Sequence, residues 1–265
     1  MTLSDNLIRY WKMDDAASPA VDALGVDNLA QGNNPAFAQA GKISNSIDFS
    51  GANNRFIAKS GGAFPAGNNW TINMWVNLAS AENNDGLISV YDNSPSRQIR
   101  IRFGVSPFIV ADYNGTPTSD YSFALFWNLW TMVTATWDGT NGEIRLYING
   151  GNVSNKMTAI GSFDGSAISD LTIGNDDSRS RTRACNGKID EVGIWSRELS
   201  DTEITALYNS GNGLAYPFYD GNRLQIQIGD AWKLSTAAPK INIGDAWKTV
   251  AGMQINIGDA WKTIF

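Results

Sequence analysis

Short runs of alternating apolar and polar residues recur along most of this chain, and they predict strand after strand. Trp70, Ile72, Met74 and Val76 fall on one face by a period of two, as do Ile144, Leu146 and Ile148. Ile99, Ile101 and Phe103 alternate with Gln98, Arg100 and Arg102. Further strands are predicted around 43–49, 87–91, 108–113, 131–137 and 171–173. The dipeptides Asn114-Gly115, Asp138-Gly139, Asn141-Gly142, Asn149-Gly150, Asp164-Gly165 and Asn186-Gly187 supply turns, because Asn, Asp and Gly tolerate the positive φ of tight hairpins. Many short strands between such turns predict an all-β protein, a two-sheet antiparallel sandwich or barrel.

One segment has a helical period instead. Ser200 and Glu203 form the two ends of a capping box, with Leu199 and Ile204 placed as a hydrophobic staple. Ile204, Leu207 and Tyr208 share a helical face and Gly211 is placed to stop the helix, so 201–210 reads as a short helix packed on the sandwich.

After Phe218 the pattern changes. Ile226-Gln-Ile-Gly-Asp-Ala-Trp-Lys233, Ile241-Asn-Ile-Gly-Asp-Ala-Trp-Lys248 and Ile255-Asn-Ile-Gly-Asp-Ala-Trp-Lys262 are near copies, starting 15 and 14 residues apart. Each reads as a strand, a Gly-Asp turn and a return strand. The expected division is therefore a sandwich at 1–218 and three small β-hairpin repeats at 219–265. A lone hairpin of this size is marginal in water. The repeats are thus expected to associate with one another or with other copies, through Trp232, Trp247 and Trp261.

Composition narrows the chemistry. The 265 residues include no histidine, one cysteine and ten tryptophans. The commonest general base is therefore missing, and Cys185 has no partner for an internal disulfide; it reads as a small packed thiol. A net charge of −6 opposes binding to a phosphate backbone, so no nucleic-acid partner is expected. No apolar run approaches the length of a membrane span, and the first residues show no secretory leader.

A set of segments in order carries a family resemblance. Gly41-Lys-Ile-Ser-Asn-Ser-Ile-Asp-Phe-Ser-Gly51, Trp70-Thr-Ile-Asn-Met-Trp-Val76 and Trp130-Thr-Met-Val-Thr-Ala-Thr-Trp-Asp138 come first. Ile144-Arg-Leu-Tyr-Ile-Asn-Gly150, Leu171-Thr-Ile-Gly174 and Asn186-Gly-Lys-Ile-Asp-Glu-Val-Gly-Ile-Trp-Ser-Arg-Glu-Leu-Ser200 complete the series. Over about residues 7–218 the chain resembles the laminin-G-like jelly roll of the concanavalin A-like lectin/glucanase superfamily. The resemblance implies two curved antiparallel sheets, frequent glycan or protein binding, and often a structural calcium. Many relatives carry histidines where this chain has Trp130-Thr131-Met132.

Some relatives are glycosidases, which need two carboxyl groups on one face of a cleft. The laminarinase-like relatives carry Glu-x-Asp-x-x-Glu, and no glutamate here begins that pattern. Asp190 and Glu191 are adjacent and, on a regular strand, point to opposite faces. No catalysis is expected.

Asp190 shares its face with Val192 and Ile194, where a bare carboxylate is costly. The resemblance implies that the aspartate at this position ligates structural calcium, with Asp14 and the Gly51 carbonyl as partners. The other open reading is that backbone amides or a nearby Lys or Arg satisfy it. Arg179 and Arg181 either grip an anionic glycan or pair with Asp176 and Asp177 in a solvated loop. Tyr91, Arg97, Tyr113 and Tyr121 either contact a sugar or cap the sandwich.

The Ile-Gly-Asp-Ala-Trp-Lys repeats resemble tails of bacteriophage virion proteins. That implies a head fibre, decoration or tail component, a homo-oligomer (a trimer is the common fibre state), and partners among other virion proteins. Such a protein would assemble in the host cytoplasm and leave by lysis. The alternative is a free carbohydrate-binding lectin or a fragment of a bacterial surface protein.

Overall fold

In the computed structural model the chain forms two compact units, 1–216 and 217–265. The structure describes residues 2–51, 54–61, 67–92, 98–113, 115–157, 168–175 and 183–218, together with six strand backbones in the repeat region. Strands of the first unit are β1 (Leu7–Trp11), β2 (Ala30–Gly32), β3 (Ala36–Ala40), β4 (Asn45–Asp48), β5 (Phe56–Lys59) and β6 (Asn69–Ser80). Next come β7 (Gly86–Asp92), β8 (Gln98–Phe103), β9 (Phe108–Tyr113), β10 (Thr116–Pro117) and β11 (Tyr121–Ser122). Then follow β12 (Thr131–Asp138), β13 (Glu143–Ile148), β14 (Gly151–Met157), β15 (Ile168–Ile173), β16 (Asn186–Trp195) and helix α1 (Asp201–Tyr208).

Two antiparallel sheets of eight strands stack face to face. The first runs β14-β13-β12-β6-β16-β4-β3, with β1 also on β16; the second runs β10-β9-β8-β7-β15-β5-β2, with β11 on β9. The sets predicted by alternation all point inward: Trp70, Ile72, Met74 and Val76 of β6 and Ile144, Leu146 and Ile148 of β13 meet Ile99, Ile101 and Phe103 of β8 in one buried core. Cys185 lies in that core, and burial pushes its thiol pKa up. β13 and β14 are joined by Asn149-Gly150, both with positive φ, as a two-residue hairpin turn requires.

Helix α1 starts at the expected capping box: the Glu203 amide donates to Ser200 Oγ and the Ser200 amide donates to Glu203 Oε2. It stops earlier than expected, at Tyr208, because Asn209 takes the left-handed conformation (φ 48°) before Gly211 is reached. Ile204 and Leu207 are its buried residues.

In the repeat region β17 (Gln225–Ile228) pairs with β18 (Ala231–Leu234), β19 (Lys240–Ile243) with β20 (Ala246–Thr249), and β21 (Gln254–Ile257) with β22 (Ala260–Thr263). The registers are equivalent, with Trp232, Trp247 and Trp261 opposite Gln227, Asn242 and Asn256. Side chains here, and the Gly-Asp pairs between the strands, lie outside the described residues.

Candidate functional site

The pleat that sends isoleucines inward from the second sheet sends small and polar residues outward. Ala30 stands opposite Ala58, Ala58 opposite Thr172, Thr172 opposite Ser89, Ser89 opposite Arg100, and Arg100 opposite Asp112. The row therefore crosses six strands, low at Ala30, Ala58, Thr172 and Ser89 and higher at the arginine. At its β2–β5 end lies an open depression of about 400 Å³, lined by Ala30, Phe56 and Ala58 with Asn28, Gln31, Lys59 and Ser60 around them. The Phe56 ring lies over Gly32, where a Cβ would come within 1.9 Å of it, so glycine is needed for this close approach.

Fixed charges frame this face. Arg100 Nη2 and Arg102 Nε meet the fully buried Asp112 carboxylate at 2.8 Å and 2.7 Å. Asp27 is shared by the buried Arg9, at 2.5 Å, and by Lys59. Thr172 Oγ1 donates to Asp170 Oδ1 at 3.1 Å. Ser89 Oγ is buried without a hydrogen-bond partner among the described residues, which is costly for a hydroxyl.

Of the tyrosines singled out in the sequence, only Tyr91 reaches this face, half-buried and opposite Asp170. Tyr113 is corrected: it stands opposite Ile99, shares the inward phase of Ala111, and packs in the core. Tyr121 is half-buried, in keeping with the alternative that it caps the sandwich. It stands opposite Ile109, packs against the core, and lies 6.4 Å from the Phe126 ring. Arg97, Arg179 and Arg181, with Asp176 and Asp177, lie outside the described residues. The depression was not anticipated, since Ala30, Phe56 and Ala58 come together only through non-local pairing; the cue in the sequence was the two alanines and the glycine.

A second cluster sits on the outer face of the first sheet. β16 pairs with β4 at Lys188–Ile189 and with β1 from Val192 onward, and at the switch the ladder to β6 slips. Glu191 and Val192 together face the single residue Met74, and Glu191 takes φ 49°. This β-bulge corrects two expectations. Ile189, Val192 and Ile194 all point into the core, so Asp190 does not share the face of Val192 and Ile194. Glu191, instead of opposing Asp190, turns to the outer side as well, where the Tyr10 hydroxyl donates to its Oε2.

Asp190 Oδ2 accepts from the amides of Lys42 and Ile43 at 2.8 Å and 2.9 Å. Asp190 Oδ1 and Glu191 Oε1 are buried without hydrogen-bond partners among the described residues. Burial, with the neighbouring carboxylates, raises Asp190 to about 8 and Glu191 to about 7, although amides and the Tyr10 hydroxyl pull the other way. Lys42 Nζ lies over the Trp75 ring, 4.8 Å from its centroid. Asp14 Oδ1 accepts from the Asn45 amide at 2.9 Å. Gly51 lines a separate depression of about 220 Å³ beside Glu82 and Asp85, and no residue that hydrogen-bonds Asp190 lines it. Among the described residues no three carboxylate, cysteine or histidine side chains gather to hold a metal. The two orphaned oxygens suit a cation; the rest of the six to eight oxygens that calcium takes would be carbonyls and water.

Two stacked antiparallel sheets, the second bearing small and polar outward groups that are buried at Ser89, Thr172 and Asp112 and open to the depression only at the β2–β5 end, define a lectin-type jelly-roll sandwich. A family model described as the concanavalin A-like lectin/glucanases superfamily matches residues 50–205, more than half of the chain, and the chain belongs to that family. No curated protein sequence matches it. Among solved structures it is similar to domain 4 of AbnA, a GH43 extracellular arabinanase from Geobacillus stearothermophilus, in complex with arabinotriose. That likeness has a TM-score of 0.59 and 19% identity, and covers 76% of this chain and 97% of that one. It is also similar to a Trypanosoma rangeli sialidase in complex with a difluoro-KDN sugar (TM-score 0.60, 14% identity), covering 79% of this chain and 33% of that one. A third is the botulinum neurotoxin serotype G binding domain, with TM-score 0.57 and 17% identity, covering 94% of this chain and 67% of that one.

Proposed function

We propose that the chain is a non-catalytic glycan-binding protein of a bacteriophage virion, displaying its jelly roll outward and associating through its repeats. The observation that carries the binding reading is the open depression at the β2–β5 end of the second sheet. Asn28, Gln31, Lys59 and Ser60 offer amide, ammonium and hydroxyl groups around an alanine floor low enough to admit a sugar ring. The arabinotriose complex of AbnA domain 4 supports a saccharide as the ligand class. The virion reading is supported by the resemblance of the Ile-Gly-Asp-Ala-Trp-Lys repeats to phage tails. A structural calcium would be held by Asp190 with Asp14 beside it, and when bound it would offset the charge of carboxylates that burial disfavours.

Glycan-array screening followed by calorimetry tests the binding reading. The full chain binds a saccharide, and Ala58→Arg, which fills the floor, weakens it by about tenfold or more. Equal binding by the variant, or no binding across neutral and anionic glycans, overturns it. The same ligands incubated with the protein remain unhydrolysed; released reducing ends would make it an enzyme. Mass spectrometry of purified virions tests the location. For the repeats, Trp247→Ala yields smaller particles in light scattering while the jelly roll keeps its own melting transition. A wild-type chain that stays monomeric at high concentration defeats the association reading.

A further inference from the structure

The bulge in β16 does more than redirect a side chain. On a regular strand Glu191 would point into the inter-sheet core; at φ 49° it joins Asp190 on the outer side. Both residues are almost wholly buried, at 0% and 2% exposed. In each carboxylate one oxygen is already fixed by donors: the Lys42 and Ile43 amides hold Asp190, and the Tyr10 hydroxyl holds Glu191. That leaves Asp190 Oδ1 and Glu191 Oε1, on successive residues, without partners among the described residues. A protein that orients two buried carboxylates this firmly and leaves one oxygen of each unmatched carries a large desolvation cost unless a cation or protons meet them. The nearby cations do not: Lys42 is turned over the Trp75 ring, and Lys12 acts on Glu191 only through a longer-range field.

We infer that Glu191 is itself a ligand of the divalent cation at Asp190, with Tyr10 as the residue that positions it. Asp14, whose carboxylate is engaged by the Asn45 amide, contributes negative potential nearby. Oxygen-only donors, two of them carboxylates in an irregular bulge, suit calcium better than magnesium, which demands near-ideal octahedral geometry. This inference rests on the calcium reading and is independent of glycan binding.

The test uses the full chain, with calcium chloride titrated by calorimetry and terbium as a luminescent probe excited through the adjacent Tyr10 and Trp75. Wild type binds calcium in preference to magnesium and sensitises terbium emission. Glu191→Gln keeps the shape and a partner for the Tyr10 hydroxyl, so it folds; its calcium affinity falls by about tenfold or more, and its terbium emission with it. Tyr10→Phe, which leaves the carboxylate in place but unoriented, lowers affinity by about tenfold. If Glu191→Gln binds as tightly as wild type while Asp190→Asn does not, Glu191 is no ligand and the calcium reading survives alone. If wild type binds no calcium, both fall.

Discussion

The outer faces of the two sheets are made by the same alternation and are built differently. On the first sheet the outward positions carry large aromatics, and other parts of the chain cover them. Trp75 stacks on Tyr208, with ring centroids 5.8 Å apart, and Tyr10 lies 5.5 Å from Tyr216. Trp195 Nε1 donates to the Leu3 carbonyl at 2.6 Å, and the Tyr147 hydroxyl donates to Asp201 at 2.9 Å. Trp195 and Tyr10 also crowd the backbone at Gly193, where a Cβ would lie 2.6 Å from the tryptophan ring and 3.0 Å from the tyrosine. On the second sheet the corresponding positions are Ala30, Ala58, Thr172 and Ser89, and the face opens into a depression at one end. Large outward side chains thus mark the face that α1 and the chain ends cover, whereas the small ones on the second sheet leave room for the depression at its β2–β5 end.

Substitutions separate these roles. Trp75→Ala removes the main aromatic support for α1 and should cost about 3–5 kcal/mol. For a domain of this size that is a fall of roughly 6–20 °C in Tm, with glycan binding at the other face retained in the folded fraction. A loss under about 1 kcal/mol, measured by denaturant titration, would mean that the cover on this face is not needed.

Chelation probes the same covered face. Calcium at a hundred times its Kd adds about 2.7 kcal/mol by mass action, so a chelator lowers the wild-type Tm and leaves Asp190→Ala unchanged. Equal chelator sensitivity in both proteins would exclude Asp190 as a necessary ligand.

The α1 cap gives a pH-dependent test. Burial pushes the Glu203 carboxyl up, but the Arg197 guanidinium and the Ser200 amide and hydroxyl outweigh it and hold the group at about 2. A carboxyl held below its ordinary value of 4.5 stabilises the fold above that pH, and the contribution is lost as pH falls toward 2. Glu203→Gln should cost about 1 kcal/mol at neutral pH and flatten the fall in Tm between pH 5 and 2, both followed by circular dichroism. An unchanged acid limb would place the loss elsewhere.

Ala58→Arg on the floor of the depression is read by saccharide binding, which should weaken by about tenfold or more in the folded fraction. Unchanged binding would place the saccharide elsewhere.

Where local geometry dominates, the strands and the helix start were legible. Alternation in β6, β8 and β13 placed their inward residues, and Ser200 and Glu203 placed the start of α1. β5 and β14 were missed because Phe56-Ile-Ala-Lys59 is too short to show a period and Gly151–Met157 is almost wholly polar. Tyr91, Tyr113 and Tyr121 looked alike beside predicted turns, yet the phase of β7, β9 and β11 sends the first outward and the others inward. The bulge left no mark at all, since Glu191 holds a positive φ without a glycine to announce it.

The amino-acid order by itself determined an all-β sandwich, its inward residues, the capped helix and three hairpin repeats, because period-two alternation, turn dipeptides and caps act over a few residues. Only the tertiary structure decided which outer face is covered, how Glu191 comes to stand with Asp190, and where the depression opens. Each of these depends on segments far apart in the chain: Leu3, Tyr208 and Tyr216 returning over the first sheet, β1 replacing β4 beside β16, and β2 joining β5. A side chain's phase is set by its own strand, whereas its burial is set by what arrives on top of it.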